Sequence, residues 1–129
     1  MGSELELYEA RLSYLQLDRD PAECHISYAH IHKTKGRPAR DTGQGWSQEA
    51  ILLIEQAQLS PGAPNLPNTI VDGYIETEAE RLELIPIPFE RSGAARLFLQ
   101  FADDTSLEIT GYNPSIKLVG EKVFLRDYL

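Results

Sequence analysis

Two short runs near the C-terminal end constrain this chain more than anything else in it. Between Ala94 and Phe101, the residues Ala95, Leu97, Leu99 and Phe101 fall on one face of an extended backbone, and Arg96 and Gln100 fall on the other. Between Thr105 and Thr110, Leu107 and Ile109 alternate with Glu108 and Thr110. A period of two with polar residues between belongs to a strand with one dry and one wet face. Asp103-Asp104 separates the runs, and short acidic residues favour a tight reversal. The region predicts a β-hairpin.

The alternation continues through Ile116, Leu118, Val123 and Leu125, interrupted at Gly120. Leu82, Leu84, Ile85 and Ile87 predict another strand, and Pro86 and Pro88 within it confine it to an edge, since proline cannot donate to a ladder. Asp72-Gly73 inside 68–77 reads as a two-residue turn or a glycine bulge. In 4–17 a helical stripe of Leu5, Tyr8, Leu12 and Leu15 competes with a bent strand. The strand is preferred because Asp18-Arg19-Asp20-Pro21 punctuates strands, and 23–33 then returns beside it. If 23–33 is extended, an unbroken period of two places Cys24, Ile26, Tyr28, His30 and His32 on one face. Residues 47–59 read either as a short helix, with Ala50, Leu53, Ile54 and Ala57 on one side, Ser47 as cap and Pro61-Gly62 as stop, or as a strand in which Trp46, Gln48, Ala50, Leu52 and Ile54 alternate, and residue type favours the helix. The fold expectation is mainly β: a single domain over 1–129, an antiparallel sandwich or small barrel with at most one or two short helices.

At 129 residues, with 42% hydrophobic and 25% charged residues, the chain has enough apolar material for one core. One cysteine, Cys24, leaves no internal disulfide and suits a reducing compartment. The first residues carry Glu4, Glu6 and Glu9 without the apolar run of a secretory leader, and Ala50–Ile54 is far too short to span a membrane. The expected location is the cytoplasm. A formal net charge of −8 works against nonspecific binding to nucleic acid or anionic membranes and suits a basic protein partner.

His30 and His32, two residues apart on one strand, are the candidate metal ligands. The His30-x-His32 pair resembles the opening of the cupin metal motif, but Lys33, Thr34, Lys35 and Gly36 stand where its glutamate would follow. Lys33, Lys35, Arg37 and Arg40 are the candidate anion or ligand site, a basic loop with no interleaved aromatic residue to suggest nucleic acid. Gly43-Gln44-Gly45-Trp46-Ser47-Gln48-Glu49 fits neither a dinucleotide fingerprint nor a nucleophile elbow, because Gln48 and Glu49 stand where each needs glycine. That segment is read as a connection delivering Trp46 to the core. Glu76, Glu78, Glu80 and Glu83 read as a solvated acidic surface, and six tyrosines suit a core rim or a contact surface.

No catalytic constellation or cofactor motif is present in the sequence. The expectation is a non-enzymatic protein-binding or regulatory module, of immunity or accessory type, that uses an acidic β surface and is open to homodimerisation. The alternatives are a small-molecule-binding barrel or sandwich, and a metal-dependent enzyme centred on His30 and His32.

Overall fold

The computed structural model describes residues 2–34, 43–62 and 64–128. Its strands are β1 (Gly2–Glu6), β2 (Arg11–Gln16), β3 (Ala22–Thr34), β4 (Gly43–Leu59), β5 (Asn68–Thr77), β6 (Arg81–Leu82), β7 (Leu84–Ile87), β8 (Phe89–Glu90), β9 (Ala94–Phe101) and β10 (Ser106–Tyr128). Six of them close into an antiparallel barrel in the order β2, β5, β9, β10, β4, β3, with β3 returning to β2. Closure removes the free edges that an open sheet of this length would present. The mainly-β single domain expected from the alternation is therefore a barrel with extra strands.

Each barrel strand contributes apolar side chains to the interior. Leu12, Cys24, Ile26, Leu52, Ile54, Ile70, Ile75, Leu97, Leu99, Phe101, Leu107 and Ile109 are all buried in one cluster. Fully burying each large aliphatic side chain is worth roughly 1.5–3 kcal/mol, so this interior dominates the stability. The core continues past the barrel mouth. There Ile85, Leu5, Ile31 and Trp46 form one cross-strand row over β7, β1, β3 and β4, and Trp46 is buried as expected.

The C-terminal hairpin is present, with Ala102–Asp104 turning the chain between β9 and β10. Hydrogen bonds from the Thr105 hydroxyl and amide hold the Asp103 carboxyl below the usual carboxylate range. The bent N-terminal strand is also present. It breaks at Leu7–Ala10, so that β1 pairs with the distal half of β3 and β2 with the proximal half. Asp72-Gly73 lies inside β5 beside a register shift rather than in a hairpin turn. β7, which carries Pro86, pairs with β1 alone among the described residues.

Two expectations need correction. Residues 47–59 are strand, the greater part of β4, and not helix. β4 is hydrogen-bonded to β3 on one side and β10 on the other, and that pairing overrides the local helix preference. Ala50, Leu52 and Ile54 point inward, whereas Leu53, which the helical stripe would bury, faces out half-buried. The second correction concerns β3. A register shift between Ile26 and Ala29 inserts an extra residue, so Cys24 and Ile26 face in while Tyr28, His30 and His32 face the other way. Among the described residues no helix is long and apolar enough to cross a membrane.

Two outcomes test this packing. A Cβ at Gly111 would collide with Ile54 Cγ2 and lie 2.6 Å from the Glu55 carbonyl oxygen, so Gly111→Ala is expected to cost ~1–3 kcal/mol in urea denaturation. Burial pushes the Cys24 thiol up to about 12. Native protein should therefore resist iodoacetamide at neutral pH and label at once in urea. The raised native value also means that the stabilising contribution is complete below the unfolded thiol's range and fades as pH climbs toward 12. A Cys24→Ala variant should consequently lose less stability over that alkaline window.

Candidate functional site

The barrel wall formed by β2, β3, β4 and β10 shows its outer face as cross-strand rows. Tyr14, His25, Ile51 and Lys117 make one row, and Gln16, Glu23, Leu53 and Ser115 make the next. Because side chains alternate, the strand that sends Ala50, Leu52 and Ile54 inward must send Ile51 and Leu53 outward. They are half-buried by their neighbours and lie mid-wall, with Val119 half-buried farther along β10. Polar contacts stiffen the β2 side. Tyr14 stacks edge-on against His25 at 5.3 Å, its hydroxyl donates to Gln16 Oε1 at 2.7 Å, and His25 Nε2 lies 2.8 Å from Glu23.

Farther along the wall both neighbours of β4 bulge. Tyr28 sits in the β3 bulge with φ 55°, and Gly120 sits in the β10 bulge with φ 72°. Glycine adopts that conformation freely and tyrosine does so at a cost. Between the bulges lies a notch of about 310 Å³ lined by Ser27, Tyr28, Ser47, Gln48, Glu49, Glu121 and Val123. Tyr28 and Val123 are exposed walls of it, at 65% and 59%.

Other concavities lie on the surface. A groove of about 490 Å³ runs across β4, β5, β9 and β10, lined by Gln56, Gln58, Glu76, Thr77, Arg96, Thr110 and Tyr112 among others. A smaller pocket of about 240 Å³ is lined by Glu6, Tyr8, His32, Asp72, Glu83 and Leu84.

His32, one of the two histidines singled out in the sequence, is in that smaller pocket. It is buried, with Nε2 2.6 Å from Glu6 Oε2 across the β1–β3 ladder. His30 is half-buried and sits opposite Glu6 and Ser47 in register. Among the described residues no three His, Cys, Asp or Glu side chains are grouped to hold a metal ion. Of the basic loop, Lys33 is paired backbone in β3, whereas Lys35, Arg37 and Arg40 lie outside the described residues. Two of the four glutamates of the acidic run are engaged by the chain's own arginines, Glu76 with Arg81 at 2.9 Å and Glu80 with Arg91 at 2.9 Å.

The notch residues were not singled out by sequence reasoning. Their signal is the broken period at Ile26-x-x-Ala29, where two apolar residues three apart both face in only if the strand bulges between them. Comparison of the chain with family models, with curated proteins and with solved structures finds no match.

Tyr28→Asn tests whether the bulge is strained. Asparagine tolerates a left-handed backbone, and the lost ring is mostly in solvent. The variant is expected to match or exceed wild-type stability by up to ~1 kcal/mol in thermal melts.

Proposed function

We propose that this chain is a non-enzymatic protein-binding or regulatory module, of accessory or immunity type, that engages a basic partner through the β2–β3–β4–β10 wall. The carrying observation is the register that sets Ile51 and Leu53 in the middle of that wall, with exposed Tyr14 and Tyr28 on the same side. Apolar and aromatic side chains within a polar rim are the composition of protein contact surfaces. Glu23, Glu49 and Glu121 supply carboxylates to the rim and favour a partner of opposite charge. A barrel interior filled by side chains supports recognition from outside rather than ligand enclosure. Cytoplasmic residence belongs to the same proposal, because buried Cys24 is an unpaired thiol.

A second reading has its own support. The 490 Å³ groove brings Gln56, Gln58, Thr77, Thr110, Arg96 and Tyr112 together, a set of hydrogen-bonding groups beside one aromatic ring suited to a small polar ligand.

The first reading is tested by affinity capture from cells that express the protein, with wild type and the Ile51→Lys/Leu53→Lys variant side by side. The expected result is a basic protein whose affinity falls ~100-fold with the variant, while the variant's melting transition stays cooperative. Capture unaffected by the variant, or recovery of acidic proteins only, would refute the wall. Saturable binding of a small polar metabolite, abolished by Arg96→Ala and untouched by the wall variant, would favour the groove.

A further inference from the structure

Two bulges face each other across β4 and act at the same level of the sheet. On β3 three steps, Ile26 to Ala29, span two on β4, Ala50 to Gln48. On β10 four steps, Val119 to Val123, span two on β4, Glu49 to Ser47. Both neighbours therefore lift away from β4 at Ser47–Glu49, and the notch of about 310 Å³ is the space they leave. It lies at the small end of ligand sites, a size for one side chain rather than for a larger molecule.

Its lining is chemically one-sided. Tyr28 supplies an aromatic ring and Val123 an apolar wall, while Glu49 and Glu121 supply two carboxylates. Neither glutamate forms an ion pair among the described residues, in contrast to Glu76, Glu80 and Glu108 on the far side of the barrel. Ser47 also lines the notch. It is 8% exposed, and its hydroxyl has no hydrogen-bond partner among the described residues. That hydroxyl can accept from a donor placed in the notch.

A guanidinium satisfies all of these groups at once. It is planar, so it stacks on a tyrosine face, and its forked N–H donors reach two carboxylates and a hydroxyl oxygen together. An ammonium of the same charge lacks both the plane and the fork. We propose that the notch is the seat of one arginine side chain presented by the partner protein, stacked on Tyr28 and shared between Glu49 and Glu121. This rests on the basic-partner reading of the wall and names the contact that anchors it.

The test is an NMR titration of the intact chain with Nα-acetyl-arginine N-methylamide, beside its lysine and citrulline counterparts. The expected result is saturable shifts confined to the amides of Ser27, Tyr28, Ser47–Glu49 and Glu121–Val123. The lysine probe should bind more weakly, and the uncharged citrulline probe about tenfold or more weakly. Tyr28→Phe should retain binding because the ring remains. Tyr28→Asn and the Glu49→Gln/Glu121→Gln variant should each lose about tenfold. Shifts spread over carboxylates elsewhere, equal binding of citrulline, or no shift at millimolar probe would overturn the assignment.

The two proposals fail separately. If arginine amide fills the notch but Ile51→Lys/Leu53→Lys leaves capture intact, the wall reading falls and the notch stands as an arginine site. If capture depends on Ile51 and Leu53 but is unchanged by Tyr28→Asn, the notch assignment falls and the wall stands.

Discussion

The structure depends on β4 being paired along both of its edges. β3 takes one side from Gly43 to Ile54, and β10 takes the other from Gly43 to Leu59. With both edges paired over most of its length, the phase of β4 is fixed, and phase decides which side chains are wet. A slip of one residue would push Leu52 and Ile54 into solvent and drive Glu49 and Glu55 into the barrel. Ile51 and Leu53 would turn inward in their place, so the decisive cost is two carboxylates buried without partners. Everything on the wall, Ile51 and Leu53 included, follows from that phase.

Long strands can wrap a small barrel only if they bend, and the bends here have a common device. Tyr28 on β3, Gln56 on β4, and Asn113 and Gly120 on β10 all have positive φ, and each lies at a shift in register. Bulges increase twist and let one strand change partners along its length. On β3 this lets a single strand serve β2 at one end and β1 at the other. Asparagine and glycine occupy such positions cheaply, whereas tyrosine and glutamine do not, and left-handed backbone costs roughly 1–2 kcal/mol per L-residue. Tyr28 recovers little of that cost through packing, since its ring is 65% exposed. The strain is met by the surrounding ladders, and its product is a ring held away from the core.

How much of this was legible in the sequence depended on whether the apolar period stayed regular. Leu97, Leu99, Phe101, Leu107 and Ile109 keep a strict period of two, and their hairpin was readable without coordinates. Residues 47–59 were not, because consecutive Ile51, Leu52, Leu53 and Ile54 satisfy a helical stripe as well as a two-sided strand. Only neighbours on both edges select the strand, and those neighbours come from distant segments. The face shared by Cys24 and His32 was misjudged for a related reason: one inserted residue reverses inside and outside, and periodicity alone does not say where the insertion falls. Barrel closure was still less readable, since it rests on β2 meeting both β3 and β5.

The distribution of ion pairs gives the two sides of the barrel different characters. On the β5–β9 side, acidic groups face the chain's own arginines: Glu76 meets Arg81, and Arg96 reaches Glu108 at 3.2 Å. Arg81 also lies over the Tyr74 ring at 4.1 Å, so cation, carboxylate and aromatic ring are already satisfied within one molecule. Across the barrel the same three components are incomplete. Tyr28, Glu49 and Glu121 provide the ring and the carboxylates, and no described arginine stands with them. Exposed ion pairs stabilise a fold only weakly, so the arginines on that side contribute less to stability than to neutralising the glutamates they face. Among the described residues Glu49 and Glu121 stand without an ion pair beside the apolar groups of the wall, and the proposed preference for a basic partner rests on this asymmetry rather than on the net charge of the chain.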